Sequence, residues 1–264
     1  MIIIGLPLTK LVGCANIKLP FFITLSAFSQ SYFKEGGMGL GDMVWDRENS
    51  RVADSMGDTA YIASVSGFTI YGLILSSVLA YFTMGWHPGW IAFIGIGLVM
   101  PLFGIFIAMK SDEFIISFLG HTMVCAGLGA VLGPTIAMFS TGVVVTAIWA
   151  TAGVTIVTSI VGIVYPKSLE HWGIWLFGAL TALLFVRIAQ IFMISMGVSE
   201  KLWYMPWIEY GAAVLFSLYI IYDWNRAMRL PHTLDNAVDC AMAIYLDVVN
   251  LFVTLLRILG EAKK

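Results

Sequence analysis

Charged side chains are scarce in this chain. Of 264 residues, 14 are Lys or Arg and 16 are Asp or Glu, 11% in all, where a soluble domain carries about 25%. A shortage of that size leaves too little polar surface for a body surrounded by water. The net charge is −2 and basic patches are absent, which excludes nucleic acid as a partner class. Cysteine is equally sparse. Cys14, Cys125 and Cys240 are scattered, odd in number and not at metal-ligand spacing, which argues against a disulfide framework; they read as small buried residues. No alternation of the transmembrane-barrel type occurs.

What is abundant is apolar length, since 59% of the residues are hydrophobic. A helix needs about 20 mostly apolar residues to cross the hydrocarbon core. Seven stretches qualify: 61–84, 90–109, 114–139, 142–165, 172–197, 207–228 and 236–260. Short polar connections make successive segments antiparallel, so the sequence predicts an all-α membrane protein, one bundle of seven transmembrane helices over residues 61–264 in the lipid bilayer. Helices are the form expected there because lipid cannot satisfy an exposed backbone. Gly120, Gly127, Gly129, Gly133, Gly142, Gly153 and Gly162 permit close helix packing. Pro101 and Pro134 fall inside segments and should kink them or open local cavities. Trp86, Trp90, Trp172, Trp203 and Trp207 stand near segment ends as interfacial anchors.

Residues 1–60 read differently. Positions 1–30 are apolar but broken by Pro7, Lys10, Lys18 and Pro20, without the basic start of a secretory signal. They are expected to form an interfacial or loosely packed tail, followed by a soluble lead-in. Basic residues set the orientation. The N-terminal side carries Arg47, Arg51, Lys110, Lys167, Arg226 and Arg229, and the other side Lys201, Lys263 and Lys264. The N-terminal side is therefore expected to be cytoplasmic.

An ionisable group at membrane depth is costly and marks a functional position by default. The candidates are His121, Arg187, Glu209, Asp223, Asp239, Asp247 and Arg257. Glu209 and Arg257 lie within about two turns of a segment end, where a solvated or headgroup-facing charge is the simple account; Arg257 can snorkel. Arg187 lies deep in the fifth segment and needs a carboxylate or an aqueous cavity. His121 reads as a hydrogen-bonded packing residue. Asp223 and Asp247 enter apolar sequence in the last two segments, which form an antiparallel hairpin. Counted along that hairpin, they reach equal depth only if part of 231–239 runs along the interface, where Thr233 or Asp235 would cap a short helix.

Two carboxylates that meet in a poorly solvated site cannot both ionise cheaply and can share a proton. Such a pair has three uses. It can bind a hard cation such as Ca²⁺ through oxygen ligands, act as a proton-titrated gate, or activate water as in aspartic proteases.

The stretch Phe216-Ser217-Leu218-Tyr219-Ile220-Ile221-Tyr222-Asp223, then Asp247 within Ile244-Tyr245-Leu246-Asp247-Val248-Val249-Asn250-Leu251-Phe252, then Leu255-Leu256-Arg257-Ile258-Leu259-Gly260, resembles the C-terminal signature of the transmembrane Bax inhibitor motif family. Gly120-His121 and the 129–134 region are similar too. The resemblance implies a last helix central in a ring of six and an aspartate dyad, Asp223 and Asp247, gating a pH-sensitive Ca²⁺ leak. It implies no enzyme and no cofactor, with Ca²⁺ as permeant or transiently bound ion, held by Asp223 and Asp247, and protons as the signal. Bacterial members pair the dyad with an arginine at the end of the second helix. Here Lys110-Ser111-Asp112-Glu113 stands in that neighbourhood, and Lys110 or Arg187 would take the arginine's place, with Glu209 and Asp239 as further supporting charges. Some members modulate membrane-bound AAA proteases or restrain cell death, so a non-conducting regulator is the alternative. The resemblance to bacterial members implies a bacterial inner membrane, or an organelle membrane in a eukaryote. Presenilin-type intramembrane aspartyl proteases also use two aspartates, but they carry Gly-x-Gly-Asp and Pro-Ala-Leu motifs that this chain lacks.

Overall fold

A computed structural model describes residues 55–111, 113–196 and 206–262. The N-terminal tail and the basic residues Arg47, Arg51, Lys201, Lys263 and Lys264 lie outside the described residues. Among these, the chain forms seven helical rods: α1 (Asp58–Thr83), α2, α3 (Phe114–Ile136), α4 (Thr141–Val164), α5 (Trp172–Ser195), α6 (Pro206–Ala227) and α7 (Leu234–Glu261). Rod α2 is a composite of Trp90–Ile94, a π-helical turn Gly95–Val99 and Met100–Lys110. The π-turn sits immediately before Pro101, where the missing N–H and the ring would disturb a regular ladder.

Six rods are long and apolar enough to cross a membrane, which makes this an integral membrane protein. The exception is α6, whose apolar character is diluted by Glu209, Asp223, Asn225 and Arg226. It nevertheless packs along both α4 and α7. The outer faces carry exposed Ile74, Phe82, Trp149, Ile156, Trp175 and Phe185, an apolar coat that suits lipid. Rod α7 is the opposite case. It is buried along 78% of its apolar span, where the other five range from 22 to 56%, and it packs on α1, α3, α4 and α6. That is why its polar residues survive at membrane depth: they face protein.

Close approach is set by small residues. A Cβ on Gly104 of α2 would lie 2.5 Å from the carbonyl oxygen of Gly120 of α3, and one on Gly129 of α3 would lie 2.6 Å from Cα of Ser76 of α1. Backbone therefore touches backbone across α1, α3 and α2. Gly153 departs from this pattern, with nothing within 4 Å of its missing Cβ.

The hairpin between α6 and α7 has no separate interfacial helix. Thr233 instead caps α7 itself, accepting a hydrogen bond from Asn236 N at 3.3 Å. Asp223 lies four residues before the end of α6, and Asp247 thirteen after the start of α7, an offset of about 13 Å at helical rise. Six connecting residues, 228–233, have the reach to supply it, at up to about 3.3–3.6 Å each.

Candidate functional site

Positions 212, 216, 219 and 223 of α6 follow helical spacing along the face that meets α7. The matching stripe of α7 runs through Asn236, Asp239, Asp247, Asn250, Thr254 and Arg257, all buried. Asp223 is 1% exposed and Asp247 0%. The group that faces the Asp247 carboxyl is the carboxyl of Asp223, at side-chain contact. An ionised aspartate only accepts hydrogen bonds, and neither Oδ of Asp247 has a donor among the described residues. One proton held between the acids would make the contact a hydrogen bond. Both acids also act on the phenol of Tyr219, one turn before Asp223.

The end of this stripe nearest the α6–α7 loop carries Asp239 and Cys240, with Tyr61 of α1 against Cys240. The Tyr61 hydroxyl lies 3.3 Å from Cys240 Sγ, and its ring stacks on His232 of the α6–α7 loop with centroids 4.3 Å apart. Asp239 acts on both Tyr61 and Cys240. It is eight residues from Asp247, about 12 Å along the helix, so it lies apart from the acid pair, toward the α6–α7 loop. Lys110 is exposed, its ammonium 5.6 Å from the ring centroid of Phe106 on its own helix.

At the other end, three helices converge on one carboxylate. Arg187 Nη1 of α5 lies 2.6 Å and Arg257 Nη1 of α7 3.1 Å from Glu209 Oε1 of α6, and Arg187 Nη1 also donates to Gln190 Oε1 at 3.0 Å. Glu209 is 2% exposed. The solvated or headgroup-facing placement expected for Glu209 and Arg257 is therefore corrected. Both lie near helix ends yet inside the bundle, because opposite charges at contact offset the desolvation that would drive either outward. Arg187 is likewise committed to this cluster.

A third polar set occupies the opposite face of α7. Tyr245 is two residues from Asp247, about 200° around the helix. Its hydroxyl meets Ser76 Oγ of α1 at 2.5 Å, and Ser76 donates to the Cys125 carbonyl of α3 at 2.9 Å. Since Ser76 has one proton and gives it to Cys125, Tyr245 is the donor to Ser76. His121 follows the same logic. Its Nε2 is 3.0 Å from the Phe68 carbonyl, which can only accept, so Nε2 carries the proton. Nδ1 is then free to accept from Cys125 S–H at 3.7 Å.

Sequence reasoning missed Asn225. It is 3% exposed. Its amide donates to the carbonyls of Tyr165 at 3.0 Å and Lys167 at 3.2 Å, and its Oδ1 accepts from Leu169 N at 3.0 Å and Arg229 Nε at 3.3 Å. One side chain thus fastens the α4–α5 loop to the helix carrying Asp223. The only available signal was a neutral polar residue among the charges that close α6.

Among the described residues, no group of three or more His, Cys, Asp or Glu side chains is placed to hold a metal ion. Ca²⁺ takes six to eight oxygen ligands, so a Ca²⁺ ion meeting the two acids would retain most of its water.

Comparison with known proteins agrees with the sequence signature. The family described as "Inhibitor of apoptosis-promoting Bax1" matches residues 59–264. "Protein LIFEGUARD 3" of Arabidopsis thaliana is 35% identical over 94 residues, covering 35% of this chain and 35% of that protein. "Bax inhibitor 1" of Saccharomyces cerevisiae is 33% identical over 102 residues, covering 35% of this chain and 28% of the yeast protein. An uncharacterized protein of Helicobacter pylori (strain J99) is 26% identical over 236 residues, covering 82% of this chain and 96% of its own length. The chain thus spans about a third of the plant and yeast relatives and nearly all of the bacterial one.

Proposed function

Because the chain belongs to the Bax inhibitor family, we propose that it is a pH-sensitive Ca²⁺ leak channel gated by Asp223 and Asp247. The observation that supports this function is the placement of two fully buried acids at side-chain contact on facing helices. A shared proton holds α6 against α7. When the pH rises and the proton leaves, two like charges face each other in a poorly solvated site and the helices separate. An entering divalent cation would offset the same repulsion. The sign follows directly: flux is low in acid and grows as pH increases. We place the N-terminal side in the cytoplasm, with Lys110, Lys167, Arg226 and Arg229 at that face, and the protein in a bacterial inner membrane, consistent with its near full-length bacterial relative.

The test is Ca²⁺ flux into dye-loaded liposomes across a pH series. Asp223→Asn places a neutral donor against Asp247 and should remove the pH dependence. Flux that still follows pH as in the unmodified protein would refute the gate.

A second function is favoured by the relatives' names, which speak of inhibition of Bax. As a regulator the chain would bind another membrane protein, such as a membrane-bound AAA protease, and conduct nothing. Co-purification of such a partner together with zero flux at every pH would select it.

A further inference from the structure

We infer that the Tyr219 hydroxyl is the third polar group of the acid site and donates a hydrogen bond to Asp247 once the pair gives up its proton. The inference rests on the gating role proposed above. Tyr219 is four residues before Asp223, so the two side chains share one face of α6. It is 0% exposed. Its hydroxyl has no hydrogen-bond partner among the described residues, and the same holds for both oxygens of Asp247. Buried tyrosine hydroxyls ordinarily find a partner. Here the unmet donor lies on the α6 face that carries Asp223, whose carboxyl meets that of Asp247.

The chemistry of the two protonation states gives this idle donor a purpose. While the acids share a proton, each meets the hydrogen-bonding need of the other, and the phenol stands outside the pair. When the proton leaves, the acids become acceptors only. A phenol still holds its proton at a pH where carboxylates have none, so Tyr219 is the group that can donate. A hydrogen bond made only to the charged form favours that form. Tyr219 would therefore make the deprotonated, conducting state easier to reach.

Other ionisable groups near the acids do not offer the same service. On α6, Tyr222 accepts from Arg226 Nη1 at 3.3 Å. On α7, Asp239 and Cys240 lie two turns toward the α6–α7 loop, with Tyr61 of α1 on the Cys240 sulfur. On α3, His121 and Cys125 engage each other on the Tyr245 face. Arg187 of α5 is at the far end with Glu209. Rod α4 has no titratable residue, and α2 has Lys110 alone, which is exposed.

The experiment compares Tyr219→Phe with the unmodified full chain in liposomes by two readouts. One is the pH profile of Ca²⁺ flux. The other is infrared titration of the protonated-carboxyl carbonyl band that Asp247→Asn removes. Expected is a variant that still responds to pH, with both midpoints displaced to higher pH by about tenfold or more in proton concentration, the range of a hydrogen bond to a charged group. Curves that superimpose on the unmodified protein overturn the inference. A flat flux profile in the unmodified protein, with the infrared midpoint still displaced by Tyr219→Phe, rejects the gate and retains the Tyr219 contact. A carboxyl band that never titrates rejects both. Should the variant fail to fold, ring-labelled tyrosine in the unmodified chain supplies the measurement. Its difference spectrum between acid and alkaline pH must change with the carboxyl band, and an unchanged tyrosine spectrum overturns the inference.

Discussion

Tyr245 donates its hydroxyl proton to Ser76, because Ser76 has committed its own to the Cys125 carbonyl. The bond ties α7 to α1 on the face opposite Asp247, so the helix that carries one acid is held from behind. Removing the tyrosine hydroxyl with Tyr245→Phe should cost about 0.5–1.5 kcal/mol. Ser76→Ala should cost more, since it also strips the Cys125 carbonyl of a donor. In the double variant Tyr245→Phe should add almost nothing to Ser76→Ala, because both break one bond. Unfolding in detergent micelles measures all three, and additive losses would contradict the shared link.

Glu209 serves two buried arginines at once. Glu209→Gln keeps the shape and removes the charge, leaving both cations without their carboxylate. The expected loss is about 3–5 kcal/mol, the range for breaking a buried ion pair from one side. A melting temperature within error of the unmodified protein would show that the cluster is solvated after all.

Gly104 and Gly153 make a matched pair for packing. A methyl on Gly104 runs into the Gly120 carbonyl oxygen at 2.5 Å, whereas one on Gly153 meets nothing within 4 Å. Gly104→Ala should therefore destabilise by about 1–3 kcal/mol. Gly153→Ala should be neutral or gain up to about 1 kcal/mol from helix propensity. Equal effects of the two substitutions would be inconsistent with the described helix contacts.

Asn225 fastens the 165–169 loop through its side-chain amide. In Asn225→Ala, the Leu169 amide loses its acceptor. Hydrogen exchange at Leu169 should accelerate well before exchange in the core of α7 changes. Unaltered protection there would place the loop's stability elsewhere.

Much of the architecture could be read from the chain because lipid imposes a simple rule, about 20 apolar residues for each crossing. The acids stood out for the same reason, as costly groups in apolar runs. Depth and facing were harder. Glu209 lies three residues from the start of α6 and looked headgroup-facing, because linear distance from a helix end does not reveal that α5 and α7 flank it with arginines. Asp223 and Asp247 differ in their distance from the turn, and only the path of 228–233 reconciles them. Tyr245 and Tyr219 were invisible as functional residues, since an aromatic ring in a membrane helix is first of all packing volume. The partners that turn their hydroxyls into specific donors sit on other helices or a turn away.

The Arg187–Glu209–Arg257 cluster also bears on how the chain enters its membrane. Helices emerge in order, so α5 with Arg187 precedes its carboxylate on α6, and α6 precedes the second arginine on α7. An arginine at the centre of a lone inserted helix costs about 2.5–3.5 kcal/mol on translocon scales. Each newcomer is thus poorly suited to lipid until the next one arrives. The C-terminal three helices should remain sheltered beside the insertion machinery and pass into the bilayer together, which makes biogenesis of this region a concerted event and not a series of independent insertions.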